Sequence, residues 1–446
     1  MSQVRSDMAI GEGWQHASLG KLLPLKYGKS LPAQLRDPNG THPVYGSSGM
    51  VGTHSAALTN GPTLIVGRKG NVGAIHYSAV PCWAIDTAYF VEAPAGHNLR
   101  YYKYLLESLK LVKLDRSTAI PGLSRDDYNA VAVSVAPPAQ QDEIVAELEK
   151  QFSRLDEAVA NLKRVKANLK RYKASVLKAA VEGRLVPTEA ELARSEGRTF
   201  KTGEQLLQWI LETRRSQWNG KSKFKEPVAP NTAVLRVLPD GWVWATYAQV
   251  GEVTTGFTPP TGDAENFGGN IPFFKPSDLD VGENVTVARE YLSEKGVAKG
   301  RLLKANSVLV TCIGATIGKT GLAGVDCATN QQINAVTPSQ DGVVPLFVYH
   351  WTGSLTGQAQ ILDNSSSTTL PILNKSKFEA LGVPLPPKAE QLRIVAEVDR
   401  RLSLVRGVER EVDANLKRAQ SLRQAVLVSE FGFSGLATEV AESSTP

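Results

Sequence analysis

Apolar residues return at alternating steps of three and four from Val145 through Leu148, Phe152, Leu155, Val159 and Leu162, and on through Val165, Leu169, Tyr172 and Val176. This spacing predicts a long helix carrying a coiled-coil seam. A second seam runs through Val395, Val398, Leu402, Val405, Val408, Val412, Leu416, Ala419, Leu422 and Val426. Each covers roughly 40 residues, or about 60 Å of helix at a rise of ~1.5 Å per residue. Pro137-Pro138 sets the start of the first helix, because proline suits a first helical turn and excludes helix before it, and Gly183 marks its stop. A seam this long exceeds what one small domain can bury against itself. The two helices are therefore expected to pair antiparallel as a spacer between globular domains; the alternative is that each helix caps its own domain.

Outside the seams the pattern shortens. Up to about Pro138 the chain is rich in Gly, Ser, Thr and β-branched residues, with strand-like runs at Thr63-Leu64-Ile65-Val66 and Ala130-Val131-Ala132-Val133. A helical patch from Leu99 to Val112 interrupts them, which makes the domain mixed rather than all-β. Similar texture returns after Gly241-Trp242, an echo of Gly13-Trp14, with strand-like runs at Ser307–Val310 and Gln332–Val336 and a short helix around Leu346–Trp351. Between Gly183 and Asn231 the sequence is polar and charged, and reads as a connector holding one amphipathic helix, Thr202 to Trp218.

The two seams belong to a tandem duplication. Ser117-Thr118 and Ser367-Thr368 stand 250 positions apart, as do Pro121 and Pro371, Pro137 and Pro387, and Gln141 and Gln391. Ile144–Glu147 repeats as Ile394–Glu397, and Val176-Leu177 as Val426-Leu427. A unit of this length is no solenoid repeat; it predicts two similar domains, each followed by a similar helix, in a pseudo-two-fold molecule suited to a partner with two half-sites. The expected fold is α+β: two tandem mixed α/β domains joined by two long helices forming an antiparallel coiled coil. Their limits are set at 1–138 and 231–388, with a central helical region and connector at 139–230 and a distal helical region at 389–446.

The chain of 446 residues carries a net charge of +6, which permits a polyanionic partner without demanding one. Lys163, Arg164, Lys166, Lys170, Arg171, Lys173 and Lys178 follow one another on the first helix with no acid among them, so either an anionic neighbour or a solvated face is expected there. The second domain is close to neutral and would depend on side-chain readout from its loops. Three cysteines, Cys82, Cys312 and Cys327, form no CxxC pair and fit a reducing cytosol. The six histidines are scattered without metal-ligand spacing. No run is apolar and long enough for a membrane span or signal peptide, so a soluble, cytoplasmic protein is expected.

Glycine-framed loops in both halves offer groups that suit base edges and phosphates. In the first half these are Tyr45, Ser47 and Ser48, then Arg68, Lys69 and Asn71. In the second they are Lys275 and Ser277, Thr311, Thr316 and Lys319, and Asn330 and Gln331; Ser117 and Thr118, with Ser367 and Thr368, are small hydroxyls before Pro121 and Pro371 that suit packing and DNA-backbone contact equally. Ordinary turn chemistry accounts for any one of them, and the set is more persuasive than its members. Catalytic motifs fail. Gly314–Thr320 resembles a P-loop but is one residue short, with Ile313 where glycine is required and no long helix after Thr320. No Asn/Asp-Pro-Pro-aromatic tetrapeptide, nuclease constellation, GxSxG elbow or strand-linked GxGxxG is found.

The segments VAPPAQQDEIVAELE and PLPPKAEQLRIVAEVD, with HPVYGSSGMVG, TTGFTPP, IPFFKPSDL and the connector EGRLVPTEAELARSEGRTFKTGEQLLQWILETRRSQW, resemble the specificity subunits of Type I restriction-modification enzymes over almost the whole chain. The resemblance implies a non-catalytic subunit in which each domain is a target recognition domain reading half of a bipartite double-stranded DNA target, with the helices as a ruler. It implies two modification (methyltransferase) subunits docked on the helices, and restriction/translocase subunits beyond them. It also implies no cofactor on this chain, S-adenosylmethionine being used by the modification subunits, and ATP and Mg where a restriction subunit is present. The C-terminal SEFGFSGLATEV is shorter than the connector after the first helix and lacks a second amphipathic helix, which leaves the equivalence of the two docks open. Two other readings stay open from the residues alone: a self-sufficient DNA methyltransferase or nuclease, which needs a cofactor site, and a coiled-coil interaction scaffold that reads no DNA sequence.

Overall fold

The computed structural model describes residues 13–92, 94–115, 122–220, 223–339, 341–366 and 370–432. It separates into two compact units, Met1–Arg164 with Glu411–Pro446, and Val165–Arg410. Unit 1 opens with β1 (Gln15–Ser18), α1 (Leu19–Leu22), β2 (Lys26–Tyr27), β3 (His42–Gly46) and β4 (Gly49–His54). It continues through β5 (Thr63–Gly67), β6 (Ile75–Ser78), β7 (Trp83–Ala84), β8 (Ala88–Val91), α2 (Leu99–Ser108), α3 (Arg125–Ala130) and β9 (Ala132–Val135) into α4 (Pro138–Val181). Three sheets result, with orders β1-β9, β2-β8-β5-β6 and β4-β3-β7; the β3/β7 pair is parallel and the others are antiparallel.

Unit 2 holds α5 (Glu189–Glu196), α6 (Gly203–Ser216), β10 (Val243–Thr246), α7 (Tyr247–Val250), β11 (Gly251–Thr255), β12 (Phe267–Phe274), β13 (Glu290–Leu292) and α8 (Glu294–Ala298). There follow β14 (Val308–Thr311), β15 (Thr320–Leu322), β16 (Ala328–Thr329), β17 (Ile333–Pro338), α9 (Pro345–Gly353), α10 (Leu355–Asp363), α11 (Lys375–Glu379), β18 (Gly382–Leu385) and α12 (Lys388–Phe431). The sheet orders are β10-β18, β11-β17-β14-β15 and β13-β12-β16, the pattern of unit 1 strand for strand with each number raised by nine. The duplication read from the sequence is therefore a duplication of topology.

The residues of α4 and α12, 44 in each helix, divide between the units. In unit 1, Val145, Leu148 and Phe152 of α4 share a buried cluster with Tyr101, Tyr102 and Leu105 of α2, Leu64 and Val66 of β5, and Leu427 and Phe431 of α12. The Phe431 ring meets Tyr101 edge-on at 5.3 Å, and the Arg423 guanidinium lies 4.1 Å from the centre of Phe152. In unit 2, Val176 and Ala180 of α4 pack with Ile394, Val398 and Leu402 of α12 and with Trp242 and Phe347, while Lys173 pairs with Glu409 at 2.6 Å. Rising numbers on α4 meet falling numbers on α12, so the helices are antiparallel here. Not every seam position is covered: Val165, Tyr172, Val408 and Leu422 are exposed. An ideal helix drifts ~20° per heptad away from a 3.5-residue repeat, which carries an apolar stripe off the contact line in a helix this long.

Local chemistry explains the boundaries. Gly183 ends α4 at φ 70°, with Arg184 N–H donating to Ala179 O at 2.9 Å and Gly183 N–H to Ala180 O at 3.3 Å, a Schellman closure. The expected helix Leu99–Val112 stops at Ser108 and turns into a short 3-10 segment, Leu111–Leu114, because Lys110 takes a left-handed conformation at φ 51°. The expected strand at Ala130 starts at Ala132 instead, since Ser124 caps α3 through Asp127 N–H. The connector holds two helices where one was expected. α6 is capped by Thr202, and α5 has its own Thr188/Glu191 capping box with Gly197 at its end.

Gln141 and Gln391 are fully buried, and each fastens a long helix to its domain. Gln141 Nε2 donates to Ala136 O at 2.9 Å, and its Oε1 accepts from Asn98 N–H at 2.9 Å. Gln391 Nε2 donates to Pro386 O at 2.9 Å, and its Oε1 accepts from Val344 N–H at 2.8 Å. One difference between the units lies beside these locks. In unit 2, α6 sets Leu206, Leu207 and Ile210 in the core with Trp244 of β10. In unit 1 the residue paired across the matching strands is His16, bonded to Ser134 at an exposed position. Among the described residues, no helix is long and apolar enough to cross a membrane.

Replacing Gln391 by Ala removes the partner of the half-buried Val344 N–H and of the buried Pro386 carbonyl and should destabilise unit 2 by about 2–4 kcal/mol; a urea titration followed by tryptophan fluorescence checks this, and an unshifted midpoint would show that the amide holds nothing. Burial also drives the His350 imidazole down to about 4, while in the unfolded chain it titrates near 6.5. The unfolded chain therefore binds the proton first as pH falls, so this contribution is complete above pH ~6.5 and is lost on the way down to pH ~4. Unit 2 should lose about 2 kcal/mol from this ring between pH 7.5 and pH 5, and His350→Asn should remove that slope.

Candidate nucleic-acid interface

In unit 1 the segments that follow β3, β5 and β7 meet. Arg68 N–H and Lys69 N–H donate to Thr87 O at 3.0 and 3.1 Å. Ser47 N–H reaches Thr87 Oγ1 at 3.4 Å, and His76 Nε2 lies 3.0 Å from Ser47 O. Gly67 allows the β5–β6 turn to close, since a Cβ there would stand 2.0 Å from Asn71 O. Ser47, Ser48, Arg68, Lys69 and Asn71 are thus brought to one end of the unit, with Ser48, Lys69 and Asn71 exposed; Ser47, expected on that surface, is buried, its N–H turned to Thr87 and its carbonyl to His76. Tyr45 does not belong to that surface: its ring packs on the buried cluster of Ile65, Cys82 and Ala88. Ser117, Thr118, Ser367 and Thr368 lie outside the described residues.

Beside the Arg68 turn is a cleft of about 600 Å³ lined by Tyr27, Arg68, Lys69, Tyr89, Ser124, Arg125 and Asp126 among others. The Arg68 guanidinium donates through Nη1 to Asp86 O at 3.0 Å and lies 5.2 Å from the Tyr27 ring centre and 5.8 Å from that of Tyr89. Arg125 stands 5.7 Å from Tyr27. Burial, then the bond with Tyr27, push the Tyr89 phenol up, so it stays a neutral donor, here to Leu123 O at 3.3 Å. Tyr27 is 50 % exposed. Two guanidinium groups within 6 Å of an accessible aromatic ring, with Lys69 as well as Asp126 on the cleft wall, make a surface suited to a polyanion with π-faces. Tyr27, Tyr89 and Arg125 were not among the expected residues; the signal available was an aromatic set between Lys26 and Lys29 in a short polar run.

Backbone hydrogen bonds identify the matching addresses in unit 2. Cys312 N–H donates to Gln332 O at 2.7 Å and Leu373 N–H to Cys312 O at 2.8 Å, as Arg68 N–H does to Thr87 O and Leu123 N–H to Arg68 O. Gly256 N–H donates to Ile333 O as Gly28 N–H does to Ala88 O, and Asn330 N–H to Phe274 O as Ile85 N–H does to Tyr45 O. Cys312 therefore stands for Arg68, Thr255 for Tyr27, Asn334 for Tyr89 and Lys375 for Arg125. The second niche is filled. Thr255 Oγ1 donates to Asn334 Oδ1 at 2.7 Å, and burial pushes the Cys312 thiol up to about 12.

The remaining expected residues of unit 2 separate into presented and internal ones. Ser277 and Thr316 are exposed. Lys275 pairs with Glu290, Lys319 with Asp280 at 2.6 Å, and Gln331 accepts from Thr258. Thr311 and Asn330 are corrections. Thr311 is fully buried in β14, because the strand runs one residue further than the loop reading allowed, and Asn330 turns its amide inward to Gln332 Oε1 at 2.9 Å. The segment resembling a P-loop is the turn between β14 and β15, with Thr311 N–H donating to Lys319 O and Gly318 N–H to Thr311 O, and a strand rather than a helix follows. Among the described residues no group of three or more His, Cys, Asp or Glu is placed to hold a metal ion.

The profile of the Type I restriction modification DNA specificity domain matches residues 11–171 and again residues 239–408. The specificity subunit of the Type I restriction enzyme EcoDI from Escherichia coli is 21% identical over 421 residues, covering 94% of this chain and 88% of that protein. The EcoBI specificity subunit, also from Escherichia coli, is 24% identical over 381 residues, covering 82% and 72%. A solved chain from a study of complex assembly and conformational transition of the type I R-M system superposes with a TM-score of 0.62 at 18% identity, covering 95% of this chain and 99% of that one. With the same topology built twice and the domain profile matched twice, the chain belongs to the Type I restriction-modification DNA specificity family.

Proposed function

We propose that the chain is the DNA-specificity component of a Type I restriction-modification assembly and contributes recognition rather than catalysis. Unit 1 reads one half of a bipartite double-stranded target, unit 2 reads the other, and the paired helices set the spacer between the halves. The observation that carries this reading is the pairing of one topology with two sets of side chains: Arg68 and Cys312, or Tyr27 and Thr255, stand at matched backbone addresses. One scaffold with unlike surfaces is what a molecule reading two different half-sites requires, because phosphate contacts position a protein while base-edge contacts specify the sequence.

Two modification subunits dock on the helical regions in this reading, with restriction subunits joining them. S-adenosylmethionine, and ATP with Mg where cleavage occurs, are used by those other chains. Among the described residues, α6 covers β10 and β18 in unit 2 while the matching strands of unit 1 carry His16 and Ser134, so the surfaces beside the two helix starts carry different side chains. Exchanging residues 13–136 for those of a relative with a known target should change one half of the methylated sequence in the host and leave the other half intact. Long-read methylome sequencing checks this; a change in both halves or in neither overturns the two-reader assignment.

A further inference from the structure

We infer that Arg68 reads a guanine in the half-target of unit 1, and that Lys69 and Arg125 hold the adjoining phosphates without reading sequence. This deepens the proposed function and rests on it. The distinction comes from how each cation is held. The Arg68 guanidinium is fixed by its bond to Asp86 O and by the rings of Tyr27 and Tyr89. A planar fork held at one angle can satisfy two acceptors at a set spacing, which is what guanine O6 and N7 offer in the major groove. Lys69 and Arg125 are exposed. Arg125 shares the Tyr27 ring at 5.7 Å, but what sets the angle of Arg68 is its hydrogen bond to Asp86 O; an exposed cation whose angle is not set in this way follows a phosphate and distinguishes no base. Tyr27 keeps half its surface accessible, so the wall of the fork can approach a base pair without first moving a side chain.

Unit 2 provides the internal contrast. At the same address it places Cys312, 2 % exposed and with its thiol held neutral by burial, and the ring position is taken by the Thr255–Asn334 hydrogen bond. No fork exists there. The guanine contact is therefore a property of unit 1 alone, and the half-target read by unit 2 is independent of it.

The test uses the full chain expressed with its modification subunits, read out by methylome sequencing. Arg68→Ala should make one G·C position in the unit 1 half of the motif degenerate, with a ~10- to 100-fold loss of discrimination at that pair and no change in the other half. Arg68→Lys should be degenerate at the same position, because a lysine keeps the charge and loses the fork. Lys69→Ala combined with Arg125→Ala should weaken binding to all sequences alike and flatten the dependence of affinity on salt, leaving the motif unchanged. An unaltered motif in the Arg68 variants overturns the inference, as does a uniform loss of affinity without degeneracy. If Arg68→Ala abolishes methylation, Arg68→Lys decides: a degenerate position supports the inference and an intact motif refutes it. Exchange of residues 13–136 in the same host separates the two levels. A swap that moves one half of the motif while the Arg68 variants leave it intact refutes only the guanine contact; a swap that moves neither half refutes the reading beneath it.

Discussion

Each long helix is fastened to its domain by one buried amide. Gln141 and Gln391 join three pieces of chain: the residue after the last strand of the domain, the N-cap of an earlier helix (α2 in unit 1, α9 in unit 2), and the first turn of the long helix itself. A side chain with both a donor and an acceptor end is required, because the buried carbonyl after the strand and the half-buried N–H before the earlier helix are bonded to opposite ends of the same amide. Glutamate would present two acceptors to one N–H, and leucine would satisfy neither group. The Pro-Pro step before each helix completes the constraint by removing helical conformations upstream. Helix direction is thus set relative to the sheets within each unit, and everything carried on those sheets inherits that frame.

What the frame carries is a set of backbone addresses with replaceable contents. Strand order, register and the hydrogen bonds that close the loops agree between the units. At these addresses arginine and cysteine, or tyrosine and threonine, take each other's place. This is possible because the closing bonds are made by main-chain N–H and C=O groups, which every non-proline residue supplies. Surface chemistry can then vary without disturbing the fold, and exposure follows the local contents: an open cleft where aromatic rings prop an arginine, a sealed niche where a short hydroxyl meets an amide.

Much of the fold was legible because its strongest signals are periodic or punctuated. The two seams, the glycine stop at Gly183 and the in-register duplication all survive as structure. The second connector helix was missed, although Thr188, Glu191 and Gly197 are the cap residues such a helix needs; its apolar face is too short to show a period. The candidate interface was legible in part. Arg68, Lys69 and Ser47 do converge, since glycine-framed turns between strands collect at sheet ends. Thr311 and Asn330 turned out internal, because one residue of strand extension or one side-chain rotation decides whether a polar group faces solvent. Tyr27 and Arg125 come together across nearly a hundred residues, and no spacing rule reports a pairing made by tertiary structure.

The share of unit 1 supplied by the end of the chain has a consequence for how the protein is made. Leu427 and Phe431 complete the cluster that contains Tyr101 and Phe152. A ribosome extending the chain at ~5–20 residues per second reaches those positions roughly 15–50 s after the first domain has emerged. Through that interval the apolar face of the first domain has no distal helix to cover it, while unit 2 is being synthesised. A nascent chain of this design is most vulnerable to aggregation and to proteolysis at its oldest part, and translation terminated within the last helix, between Arg410 and Leu427, leaves the first domain, not the second, with an incomplete core.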